Sequence, residues 1–131
     1  MKALEKLDWV TERSNCSLAK VFETLKIQIQ EDVDTRNKLM RSDGNTTTRF
    51  STTSEASVFS VFTDSTKTVK SVSFRLSSDM ILVCDGNNKE MFKAYLTLND
   101  SGECRFKINN QEREFWQMRM AALENLLFER L

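Results

Sequence analysis

Residues 57–109 read SVFSVFTDSTKTVKSVSFRLSSDMILVCDGNNKEMFKAYLTLNDSGECRFKIN, and the spacing of the apolar residues in this stretch decides the fold. They recur at every second position: Val72, Phe74 and Leu76, then Phe92, Ala94, Leu96 and Leu98, then Cys104, Phe106 and Ile108. A period of two belongs to a pleated strand with one face buried. Strands are expected over 57–63, 69–76, 80–85, 90–98 and 104–109. Turn residues separate them: Asp64-Ser65, Ser77-Ser78-Asp79, Asp85-Gly86-Asn87-Asn88 and Asn99-Asp100-Ser101-Gly102. Connections this short permit only antiparallel neighbours, because a parallel crossover needs a dozen or more residues. The expectation is a meander of four to five strands.

Parity then assigns the faces. Ser71, Ser73, Arg75, Lys93, Tyr95, Thr97, Arg105 and Lys107 fall opposite the apolar set and should meet solvent. Strand 80–85 breaks the rule: Met80, Leu82 and Cys84 point one way, Ile81 and Val83 the other. The strand is expected either to be covered on both faces or to offer Ile81 and Val83 to a partner.

Upstream, the period lengthens. Leu18, Phe22, Leu25 and Ile29, with Val21, form one helical face across residues 2–40, and Lys20, Glu23, Lys26 and Gln30 form the other. The run Ser14-Asn15-Cys16-Ser17 is rich in capping types, so a short first helix carrying Leu4, Leu7 and Val10 should break before the main one, whose N-cap is Asn15 or Ser17. Residues 41–56 are a polar Ser/Thr-rich connector, with strand pairing starting at Arg49 or later. Downstream, Asn109 and Glu112 fit a capping box ahead of a closing helix. That helix carries two apolar rows: Phe115, Met118, Ala122 and Leu126, and Trp116, Met120, Leu123, Leu127 and Leu131. The stripe is wider than one sheet face requires, so part of it should meet the first helix or another molecule. The class is α+β: an N-terminal helix, possibly two, a meander sheet, and a C-terminal helix packed with the N-terminal helix on one face. All of it belongs to one domain of 131 residues.

Composition narrows function mainly by exclusion. Lys plus Arg and Asp plus Glu both number 19, which gives no global attraction to polyanions or anionic membranes. There is no histidine, which removes Ser-His-Asp and Cys-His chemistry and the commonest metal ligand. Three scattered glycines cannot build a phosphate loop, and Gly86 and Gly102 are expected to supply positive φ in hairpins. Asp85, Glu90, Asp100 and Glu103 sit near hairpin ends, where carboxylates are ordinarily solvated. Neither an enzyme nor a cofactor or metal site is expected. Cys16, Cys84 and Cys104 form no CxxC, the N-terminal residues are charged, and no apolar run is long enough to span a bilayer. A cytoplasmic protein with reduced thiols is the expectation, Cys84 and Cys104 facing inward.

Two surfaces remain as candidates. The first is apolar: Ile81, Val83, Met91, Tyr95, Trp116, Met120, Leu127 and Phe128, suited to a protein partner or a second copy of the chain. The second is the basic outer face of the sheet, Arg75, Lys93, Arg105 and Lys107 around Tyr95, which suits single-stranded nucleic acid. A non-enzymatic protein-interaction module, such as an adaptor or chaperone-like homodimer, is the leading expectation; nucleic-acid binding is the alternative.

Overall fold

The computed structural model describes residues 8–63 and 70–128. Leu4, Leu7, the Asp64-Ser65 turn, Val69 and Leu131 lie outside the described residues. Helix α1 spans Trp9–Asn15 and α2 spans Leu18–Ser42. They break where capping residues cluster: the Ser17 hydroxyl accepts from the Lys20 N–H at 3.3 Å and opens α2. At its far end, Asn45 N–H donates to the Met40 carbonyl (2.8 Å) and Gly44 N–H to that of Arg41 (3.0 Å). This is a Schellman closure, and it requires the left-handed Gly44, φ 90°. Helix α3 spans Phe115–Leu127.

Among the described residues, one antiparallel sheet of seven strands in sequence order lies between the helices: β1 Phe50–Ser54, β2 Val58–Thr63, β3 Ser71–Leu76, β4 Ile81–Asp85, β5 Glu90–Leu98, β6 Cys104–Ile108 and β7 Gln111–Arg113. The class and the meander match the sequence reading; the strand count does not. The two additional strands are the edges. Strand β1 is nearly all Ser and Thr, so it lacks the apolar alternation that marks a strand. It is specified from outside, since buried Asn37 of α2 donates Nδ2 to the Phe50 carbonyl and accepts the Phe50 N–H, both at 2.9 Å. Strand β7 occupies residues expected to begin the closing helix. Asn109 and Asn110 both adopt positive φ, 53° and 65°, and form a tight hairpin in place of an N-cap. The helix starts later, after Glu114, whose N–H donates to Gln117 Oε1 at 2.8 Å.

Register fixes the inner face. Phe59 pairs with Phe74, Phe74 with Val83 and Val83 with Phe92; Leu76 pairs with Ile81, and Ile81 with Ala94. Directly opposed residues share a face, so Ile81 and Val83 belong with Phe74 and Leu76. Both are fully buried, which corrects their assignment to an outer contact surface. Cys84 pairs with Ser73 and lies on the other face, not inward as expected, although it too is buried. Strand β4 therefore turns Ile81 and Val83 to the core, with Cys84 buried and Leu82 partly buried on the opposite face. A bulge between Val83 and Cys84 skips Met91 on β5, and that irregularity leaves Met91 exposed.

Helices α2 and α3 pack on the Phe59–Phe74–Val83 face. Val21, Phe22, Leu25, Ile29 and Val33 from α2 join Met118, Ala122, Leu123, Leu126 and Leu127 from α3 in one core. Each large side chain withdrawn from water there contributes about 1.5–3 kcal/mol. Leu127, expected at a contact surface, is part of this core and buried.

The expectation of reduced thiols also needs correcting. Cys16 and Cys104 form a disulfide with Cα atoms 5.4 Å apart, tying the α1–α2 junction to the start of β6 across 88 residues. Cys84 is the free cysteine, and it is buried. Among the described residues no helix is long and apolar enough to cross a membrane.

Candidate interaction surface

Helices α2 and α3 lie side by side, and polar ties fix their spacing. Arg119 reaches across from α3: Nε meets Asp32 Oδ2 at 2.7 Å, and Nη1 donates to Gln28 Oε1 at 3.0 Å. From α2, Arg36 Nε donates to the Leu127 carbonyl at 2.8 Å, one of the last-turn carbonyls that helix geometry leaves open. The same guanidinium stands 4.2 Å from the centre of the Phe128 ring.

A groove of about 510 Å³ runs between the two helices. Trp116, Met120 and Phe128 rise along one side and Leu39 along the other, and all four are about half exposed: 49%, 48%, 60% and 50%. Leu123 and Leu127 close its base from within the core. Both signs of charge line it, Asp32 and Glu124 with Arg36 and Arg119. Nothing in the groove makes a nucleophile–base pair; its chemistry is that of an apolar trough with a mixed ionic border.

The fold thus divides the apolar candidates. Trp116, Met120 and Phe128 converge on one groove, Met91 and Tyr95 lie on the sheet, and Ile81, Val83 and Leu127 are core. Leu39 was not foreseen. Its signal is a matter of phase: in α2 the buried row runs through Val33, Asn37 and Met40, and a leucine out of step with it is left facing outward.

The basic candidates do share the outer face of the sheet. Tyr95 stands directly across from Lys107, and Arg105 opposes Thr97 one step further along. Lys93 lies two residues before Tyr95, and the row continues from Lys93 through Leu82 to Arg75. A shallow depression of about 470 Å³ holds Lys93, Tyr95 and Lys107 beside the Asn109-Asn110 turn. The charges differ in availability. Arg105 is paired with Glu103 at 3.2 Å, and Arg75 Nη2 donates to Asn88 Oδ1 at 2.5 Å. Lys107 also faces Glu112 across the strand pair.

The turn carboxylates shape hairpins. Asp85 Oδ1 accepts the N–H groups of Asn87 (2.9 Å) and Lys89 (3.0 Å), and Glu103 accepts from Asn99 Nδ2 at 3.1 Å. In the first of these hairpins the positive φ is supplied by Asn88, at 61°, and not by Gly86 as expected; Gly102 does adopt it, at 78°. Among the described residues no group of His, Cys, Asp and Glu is arranged to hold a metal ion. No family model, no curated protein and no solved structure matches the chain.

Proposed function

We propose that this domain is a non-enzymatic protein-interaction module that associates with a second copy of itself through the α2–α3 groove. One observation carries the reading: four large apolar side chains from two helices, each about half exposed, converge on a single groove. Aromatic and Met side chains of this kind are enriched at the centres of protein interfaces and depleted on bare surfaces. The choice of a second copy rests on charge. A two-fold interface presents the same patch from both sides, and a border on which Arg119 and Asp32 already neutralise each other carries no large single-sign charge to repel its own copy. A chain with equal numbers of acidic and basic residues also has no net repulsion against its own copy.

Sedimentation equilibrium tests this directly. The wild-type chain should be dimeric at tens of micromolar, and Trp116→Ala with Met120→Ala should be monomeric with an unchanged circular dichroism spectrum. A wild-type monomer throughout that range refutes the proposal.

A second reading, single-stranded nucleic-acid binding, is supported by the alignment of Lys93, Tyr95, Lys107 and Arg105 on the outer face. Stacking on Tyr95 with phosphate contacts to the amines would give an affinity that falls steeply with salt. Oligonucleotide binding that is absent at low salt, or that does not respond to salt, rejects it.

A further inference from the structure

We propose that the Cys16–Cys104 disulfide is a redox-controlled latch that holds α1 and the entry to α2 against the sheet, and that its reduction frees this N-terminal segment while the sheet stays folded. Little else secures α1. It has seven residues and buries none of them; Trp9 and Val10 face solvent. A helix that short does not persist alone in water. Its N-cap bonds, Thr11 N–H and hydroxyl to Asp8, are internal to the segment. Arg13 Nη1 donates to the Cys16 carbonyl at 3.3 Å, which again ties the segment to itself. The covalent link at Cys16 bridges to a different element, β6, and Cys16 Sγ also lies 3.7 Å from the Thr97 carbonyl on β5.

The core, by contrast, does not need the link. Val21, Phe22, Leu25, Ile29 and Val33 anchor α2 beyond its first turn, and the strand ladder runs from β1 to β7 independently of the sulfur atoms. Opening the bond should therefore release the segment up to Ser17 without unravelling the domain.

The surroundings also define how the bond exchanges. Cys16 is buried whereas Cys104 is only partly covered, so of the two residues Cys104 offers an incoming thiolate the easier approach. That attack makes a mixed disulfide at Cys104 and expels Cys16 as a thiolate. The departing charge lies just ahead of the N-terminus of a 25-residue helix, whose dipole favours it. A second external thiol then releases Cys104, giving two protein thiols and one external disulfide. Closure is the reverse: a small disulfide such as oxidised glutathione takes up the two thiol hydrogens as two molecules of its thiol.

The test uses the full chain. After incubation with oxidised glutathione, intact mass and alkylation under denaturing conditions should show one reactive cysteine, Cys84, and a closed bond. Hydrogen exchange is then compared before and after a dithiol reductant. Amides of residues 9–17 should exchange at least about tenfold faster once reduced, by local opening that low denaturant does not accelerate, while those of β2–β5 remain protected up to the lower limit set by the reduced chain's global stability. Cys16→Ser should reproduce the reduced pattern without reductant, and Cys84→Ser should leave the latch intact. Three alkylatable cysteines after oxidation overturn the proposal. So does equal exchange of α1 in both states, or a sheet that unfolds on reduction so that β2–β5 exchange together with α1, which would make the bond a global staple. None of these outcomes depends on the oligomeric state, so the latch and the dimer stand or fall separately.

Discussion

Asn37 offers the sharpest quantitative test of how this fold is held. It is a polar residue in the buried row of α2, and its amide serves Phe50 as a neighbouring strand would, giving and taking one backbone hydrogen bond at 2.9 Å each. Replacing it with Leu keeps the approximate volume and removes both partners. Each hydrogen bond contributes about 1 kcal/mol net, and each orphaned backbone group adds a desolvation penalty of about 1–3 kcal/mol where water does not reach it. Since the edge strand can relax towards solvent, a loss of ~2–4 kcal/mol is expected, against a typical total of about 5–15 kcal/mol for a domain. Asn37→Asp separates the two bonds. A carboxylate still accepts the Phe50 N–H but repels the Phe50 carbonyl, and only its protonated form restores the donor. Its folded-state pKa is therefore raised above the ordinary aspartate value of about 3.9. A raised pKa means stability that is present at low pH and lost as pH rises through the folded value, so this variant should approach wild type in acid and fall away from it towards neutrality. Urea denaturation of the variants from acid to neutral pH, with exchange of the Phe50 amide as a local probe, supplies the measurement. A Leu variant within about 0.5 kcal/mol of wild type, or an Asp variant whose deficit does not change with pH, refutes this account of how β1 is specified.

Other consequences are equally checkable. In the chain-entropy picture, a bond closing 88 residues stabilises the folded state by up to about 4–5 kcal/mol by constraining the unfolded chain, so the Cys16→Ser variant should show a lower urea midpoint and a larger m-value; an unaltered midpoint argues that the unfolded chain is not constrained by the link. Gly102 is buried at φ 78° in the β5–β6 turn, and Gly102→Ala should cost about 1–2 kcal/mol in thermal or urea unfolding, because a Cβ disfavours that conformation. The Asp8 carboxyl is held below its ordinary range, first by the Thr11 hydroxyl and then by the Thr11 N–H. A depressed pKa contributes stability above the unfolded value and loses it as pH falls through the folded one, so α1 should loosen in acid. Thr11→Val should shift the Asp8 titration upward in an NMR pH series, and an unmoved titration would count against the cap.

Much of this architecture is written in local rhythm. Alternation specified β3, β5 and β6 because each of those strands buries one face, turn residues bounded the apolar runs of β2 and β4, and the helical row from Leu18 to Ile29 specified α2 by the same burial of one side. The break at Ser14–Ser17 was legible because capping is a contact between near neighbours in sequence. The edge strands were less so: pairing from Arg49 or later was expected, but neither β1 nor β7 was placed as a strand. Strand β1 carries almost no apolar pattern and is recruited by an asparagine of α2, and β7 depends on reading Asn109-Asn110 as a turn and not as a cap. The faces of β4 were misjudged because a strand with apolar residues on both sides gives no parity signal; only its pairing with Phe74 and Leu76 turns Ile81 and Val83 inward. The candidate site shows the same division. Sequence alone supplied Trp116, Met120 and Phe128 as surplus apolar residues beyond what one sheet face consumes. Tertiary structure decided that they meet Leu39 in one groove, and that Cys16 finds Cys104, because a contact between residues far apart in the chain depends on how elements dock, and docking leaves no periodic trace in either segment.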